Sequence, residues 1–106
     1  MASALINVPK TARRGEIIEI KTLVSHEMET GYRRSELGVR IPRNIIRLFV
    51  CLYNGEEVFR AEFHPAISAN PFMSFSTRAT ESGTLEFRWT GDHGFSAVKS
   101  VAIRVT

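Results

Sequence analysis

Apolar and polar positions alternate along most of this chain with a period of two, the spacing of a strand with one buried face. Between Gly15 and Val24, Ile18, Ile20, Thr22 and Val24 share one face while Glu19 and Lys21 share the other. From Glu56 to His64, Phe59, Ala61 and Phe63 oppose Arg60 and Glu62. Phe72–Thr80 follows Pro71 as a further strand, and Thr84–Thr90 alternates Leu85, Phe87 and Trp89 with Glu86, Arg88 and Thr90. Phe95–Thr106 closes the chain with Val101, Ile103 and Val105 on one face. Asn54-Gly55, between two strands, predicts a type I′ hairpin, because both positions of that turn need positive φ. Ser82-Gly83 predicts a second hairpin, and Gly91–Gly94 a turn. No stretch carries the helical period and no repeat is present. About seven short antiparallel strands in 106 residues predict an all-β fold, an immunoglobulin-like β-sandwich forming one domain over residues 1–106.

The strand Asn44–Tyr53, NIIRLFVCLY, breaks the alternation because it is apolar on both faces. Alternation from Ile46 assigns Ile46, Leu48, Val50 and Leu52 to the core. Phe49, Cys51 and Tyr53 then fall on the outer face with Arg47. A sandwich normally turns one face of each sheet to water, so an apolar outer patch signals a partner. The competing explanation is that the long connection Ser25–Arg43 folds over the patch. That connection shows no strand pattern, and loops of this length are commonly functional or partner-bound.

Charge changes the picture locally. Fourteen Lys and Arg against eleven Asp and Glu give a net +3, which is weak evidence for nucleic acid. A nucleic-acid module interleaves aromatic and basic residues on one sheet face. Here most aromatics alternate inward, so no nucleic-acid partner is expected. Between residues 31 and 50, however, five arginines stand against Glu36 alone. Four of them, Arg33, Arg34, Arg40 and Arg43, belong to the long connection and are candidates for steering an acidic partner.

Reactive chemistry finds little support. One cysteine forms neither an intrachain disulfide nor a thiolate zinc site. Cys51, mid-strand between Val50 and Leu52, reads as a packing residue; a reactive thiol is the alternative, and it would need access and a lowered pKa. His26, His64 and His93 occupy separate positions without ligand spacing, so neither metal nor cofactor is expected. A Ser–His–Asp arrangement would have to use Asp92 next to His93 in one turn, where neighbours rarely face each other. No segment is long and apolar enough to cross a membrane as a helix. The N-terminal stretch Met1–Pro9 has no basic or long apolar region, so no signal peptide is expected, which by itself points to the cytoplasm. The residues thus describe a binding subunit, not an enzyme.

Several blocks carry a family resemblance: His26-Glu27-Met28-Glu29-Thr30-Gly31, Ile41-Pro42-Arg43, Phe49–Gly55, Val58-Phe59, Ala69-Asn70-Pro71-Phe72 and Trp89-Thr90-Gly91-Asp92. In this order they resemble SoxZ, the small subunit of the SoxYZ carrier of bacterial thiosulfate oxidation. Glu27 stands where that family often has proline. The resemblance implies a non-catalytic subunit that binds and supports a SoxY-like carrier in a heterodimer. The sulfur intermediates ride on a cysteine in the partner's C-terminal glycine-rich arm. It also implies transient contact with sulfur-oxidation enzymes, and a periplasmic location reached by co-export with a signal-bearing partner. Under that expectation Phe49, Cys51, Tyr53 and the four arginines form or flank the partner interface. The alternatives are a sulfur acceptor that uses Cys51 and a free-standing binding module.

Overall fold

Eight strands and one 3₁₀ turn follow one another in the computed structural model, which describes residues 3–106. Met1 and Ala2, at the head of the Met1–Pro9 stretch, lie outside the described residues. The strands are β1 (Ala4–Asn7), β2 (Thr11–Ala12), β3 (Ile17–Val24), β4 (Ile46–Tyr53), β5 (Glu56–Glu62), β6 (Phe72–Arg78), β7 (Gly83–Gly91) and β8 (Ser96–Val105). They form a three-stranded sheet in the order β1-β3-β6 and a five-stranded sheet in the order β2-β8-β7-β4-β5. The two sheets pack as an immunoglobulin-like sandwich. Pairing is antiparallel except between β2 and β8, which run parallel.

The core forms where the period-two patterns face each other. Ile18, Ile20, Thr22 and Val24 of β3 are buried, as are Leu85, Phe87 and Trp89 of β7. Phe49 of β4 lies among aromatic rings, with centroids 5.2 Å from Trp89, 5.8 Å from Phe75 and 6.1 Å from Phe59. Phe59 of β5 stacks on Phe75 of β6 at 4.2 Å, joining the two sheets directly. Each ring removes a large apolar area from water, which makes this cluster the main source of sandwich cohesion.

The face assignment of β4 is the reverse of the one alternation predicts. Phe49, Cys51 and Tyr53 are 0%, 0% and 6% exposed, so they are core and form no outer patch. Leu48, Val50 and Leu52 take the outer face, half-buried. The cause is a register shift against β7 between Ile46, paired with Gly91, and Leu48, paired with Thr90. The bulge inserts Arg47 as an extra residue, and parity counted from Ile46 fails beyond it. Ile46 and Phe49 therefore both point inward. The outer stripe is roofed by its neighbours: Val50 pairs with Arg60 on one side and Arg88 on the other. Long charged side chains cover apolar surface with their methylene stems.

Asn54-Gly55 turns as predicted, with φ of 49° and 84°. Ser82-Gly83 does not make a hairpin: β6 pairs with β3 in one sheet and β7 with β4 and β8 in the other, so the chain crosses between sheets here. Tyr53 secures the crossing. Its hydroxyl accepts the N–H groups of Thr80 at 3.2 Å and Glu81 at 3.1 Å and donates to the Glu81 carbonyl.

Candidate partner interface

The connection between β3 and β4 folds as a projecting hairpin arm. At its base Glu29 and Asn44 exchange backbone hydrogen bonds, both at 2.8 Å. Further out, Ile41 N–H donates to the Arg33 carbonyl at 2.9 Å and Ser35 N–H to the Val39 carbonyl at 2.8 Å. Gly38, with φ of 78°, closes the tip by donating its N–H to the Ser35 carbonyl at 2.9 Å. The ladder is short, which explains why no strand pattern marks it in the residues. Beyond the base almost every side chain is in water. Leu37 at the tip is 91% exposed, Val39 near it is exposed, and Tyr32 is exposed nearer the base. The molecule measures 59 × 20 × 18 Å. Strands of eight to ten residues span roughly 26–34 Å, and the arm supplies the remaining length.

The blocks that carry the family resemblance brace the base of this arm. Met28 is buried with φ of 52°, and its Sδ accepts the Ile46 N–H at 3.3 Å. Met28 N–H donates to His26 Nδ1 at 2.9 Å, and the His26 ring meets Phe95 edge-on at 4.7 Å. His26 N–H donates to Asn70 Oδ1 at 2.9 Å, while Asn70 N–H returns to the His26 carbonyl at 2.7 Å. Gly31 is required for space, because a Cβ there would sit 2.8 Å from Arg43 Cβ. Asp92, the only aspartate in the chain, is the hub. It accepts both Arg43 Nε and Nη2, at 2.8 and 2.9 Å, and the Ile45 N–H at 3.1 Å. Arg47 Nε lies 3.4 Å from its other face. The Arg43 hydrogen bonds hold the Asp92 carboxyl below its usual range. Next to it, His93 Nε2 lies 2.9 Å from the Arg43 carbonyl oxygen. Asp92 and His93 are thus joined through Arg43, which spacing along the chain does not reveal.

The four candidate arginines separate into two kinds. Arg33 is engaged by Glu29, its Nε donating to Oε1 at 3.2 Å, and Arg43 by Asp92. Arg34 donates to the Gly38 carbonyl at 2.9 Å and faces no carboxylate among the described residues, and Arg40 is exposed. The uncompensated charge of the arm therefore sits at Arg34 and Arg40. At the arm's foot a cleft of about 440 Å³ is lined by Arg43, Arg47, Arg60, Leu48, Phe63 and His64. Its cations are also engaged, Arg43 and Arg47 on Asp92 and Arg60 on Glu57. Cys51 takes no part in any of this: burial pushes its thiol up to about 12, which leaves no thiolate for sulfur chemistry near neutral pH. Among the described residues no three His, Cys, Asp or Glu side chains are grouped as a metal site.

One further surface has no counterpart in the sequence reading. On the outer face of the three-stranded sheet, Leu5 pairs with Leu23 and Leu23 with Phe72. All three side chains are exposed, making an apolar row across the sheet. The pattern Leu5-Ile6-Asn7 is too short to announce a strand, and without β1 the row has no third member.

Comparison with known proteins follows the same lines. The family described as Sulphur oxidation protein SoxZ matches residues 6–102. No curated protein matches the sequence. Among solved structures, the superoxide reductase (neelaredoxin) of Ignicoccus hospitalis superposes with a TM-score of 0.76 at 17% identity, covering 98% of this chain and 80% of that one. A putative superoxide reductase of Thermotoga maritima gives 0.70 at 18% identity, covering 97% and 85%. The sulfur carrier protein SoxY of Chlorobium limicola f thiosulfatophilum gives 0.67 at 14% identity, covering 97% and 78%. At such identities these likenesses speak to the sandwich fold alone.

Proposed function

Because the chain belongs to the SoxZ family of sulphur oxidation proteins, we propose that it is the non-catalytic half of a two-subunit sulfur carrier and binds a SoxY-like subunit. The sulfur intermediates of thiosulfate oxidation are carried on that partner's cysteine, while this chain supplies the surface that holds and presents it. The observation that carries this reading is the braced arm with its bare apolar side chains, Leu37 and Val39 toward the tip and Tyr32 nearer the base, on a chain of this family. Side chains of this kind held in water on a rigid support mark a surface that is covered in the working assembly. The thiol of Cys51, buried and with its pKa raised to about 12, argues against the alternative of sulfur transfer on this chain.

Arg34 and Arg40 contribute at longer range. They accelerate encounter with acidic partners, the carrier subunit and the enzymes it visits, and salt screens the effect. The complex works in the periplasm, which this chain reaches folded together with a signal-bearing partner.

The test is direct titration of this chain with its SoxY-like subunit. The wild type is expected to form a one-to-one complex burying on the order of 800 Å² on each partner. Leu37→Asp with Val39→Asp should weaken it at least tenfold, and Arg34→Glu with Arg40→Glu should slow association at low salt. No complex with the wild-type chain, or a sulfur adduct on Cys51 after turnover with thiosulfate, sinks the reading.

A further inference from the structure

β8 lies second in its sheet, yet β2 covers only its last residues, pairing at Arg104 and Val105. The N–H groups of Arg104 and Thr106 donate toward β2, to the carbonyls of Lys10 and Ala12, each at 2.9 Å. Successive residues of a strand turn their peptide groups to opposite sides. Ser96, Val98, Ser100 and Ala102 therefore aim their N–H and C=O groups the same way as Arg104, away from β7. Among the described residues none of these four N–H groups has a hydrogen-bond partner. The result is an open edge about seven residues, or about 23 Å, long. The opposite edge of the same sheet is blunted: β5 carries a register shift opposite Cys51 and Leu52 and an ion pair between Glu57 and Arg60.

Two features say what fits there. A groove of about 590 Å³ opens at the β2 end of this edge, lined by Ile6 and Val8 and by Val101 and Ile103 of β8. Lys99 lies on the same face of β8 as Val101, paired with Phe87, and is exposed. Every charged side chain along this edge is basic: Lys10, Lys99 and Arg104. The antiparallel register that pairs all of 96–102 between two copies sets Lys99 against Lys99. Like charges directly opposite destabilise such a pair, and an inward-pointing charge is a common guard on an edge strand. The same lysine favours a foreign strand that brings a carboxylate.

We infer that the open edge of β8 receives an antiparallel strand from the carrier subunit, with an acidic residue opposite Lys99 and an apolar residue entering the groove beside Val101. The added strand extends the five-stranded sheet across the subunit boundary, with main-chain hydrogen bonds supplying affinity and Lys99 supplying selection. The inference rests on the two-subunit reading above and adds a contact separate from the arm.

Hydrogen exchange of the labelled chain, alone and with the SoxY-like subunit, tests it. The amides of Ser96, Val98, Ser100 and Ala102 should exchange fast in the isolated chain and slow at least tenfold in the complex. Val98→Pro and Ser100→Pro remove only outward N–H groups, so the sandwich keeps its bonds while affinity falls tenfold or more. Lys99→Glu, which touches no backbone bond, should weaken binding similarly. A complex whose four amides stay fast, or that forms undiminished with Lys99→Glu, overturns the edge contact and leaves the two-subunit reading standing. Failure of the wild-type chain to bind at all removes both. Protection that appears without partner and grows with concentration means self-pairing and overturns the inference as well.

Discussion

Thr22 sits in the middle of the buried face of β3, 1% exposed, and its hydroxyl has no hydrogen-bond partner among the described residues. Burying a hydroxyl without compensation opposes folding. Thr22→Val keeps the shape and removes the unpaired group. It should raise stability by about 1 kcal/mol, read as a Tm increase of about 4–8 °C in a domain of this size. His26 gives the fold a pH dependence. Burial lowers its pKa from the ordinary 6.5, outweighing the Glu27 and Asp92 carboxylates that act to raise it. Its Nδ1 must keep a lone pair to accept the Met28 N–H. Below pH 6.5 the unfolded chain takes up a proton that the folded chain resists. The His26 contribution is therefore complete above pH 6.5 and is lost as pH falls toward the folded value. Urea midpoints should drop between pH 7.5 and 5.5, and the drop should shrink in His26→Gln. A flat profile for the wild type would show that His26 titrates as in the unfolded chain.

At the scale of elements, the long β-strands were readable because period two survives wherever one face is buried. Their environment was less so. On β4 both faces are apolar, so hydrophobicity alone does not choose between Phe49 and Leu48; a one-residue bulge at Arg47 decides. Ser82-Gly83 signals a reversal of direction without saying that the next strand joins another sheet. The arm is stabilised from outside, by Asp92 from the β7–β8 turn, and has almost no apolar periodicity of its own. Among the candidate residues, the arginines do stand on an exposed projection, whereas Phe49, Cys51 and Tyr53 are core. Asp92→Ala should loosen the arm without unfolding the sandwich, because the Arg43 clamp and the Ile45 contact both go. The expected loss is about 1–2 kcal/mol, with trypsin cleavage after Arg33, Arg34 and Arg40 several-fold faster. Unchanged cleavage would mean the hairpin is held by its own ladder.

The whole molecule is longer than a sandwich of its size requires. Its Cα radius of gyration is 16.2 Å, against about 13 Å for a compact chain of about 100 residues. The arm accounts for the difference and contributes little to the core beyond Met28. Replacing residues 32–41 with a short Gly-Ser turn should leave Tm within a few degrees and reduce the radius of gyration measured by small-angle scattering. Affinity for the carrier subunit should fall by at least tenfold. A large loss of Tm would show that the arm is part of the fold and not an appendage on it.

The parallel pairing of β2 with β8 has a consequence for the order in which this chain is completed. Arg14 N–H bonds the Thr106 carbonyl at 3.1 Å, and Thr106 N–H bonds the Ala12 carbonyl at 2.9 Å. β1 already has a place on β3, but Thr11 and Ala12 of β2 have no strand to pair with until β8 is made. Contacts between such distant parts of a chain make folding slow, because loop closure precedes any gain. Until β8 docks, Ala12 and the strand edge it closes stand open, so closure of that edge depends on a strand more than eighty residues further along the chain. The interval before that closure leaves an unpaired strand edge exposed to aggregation.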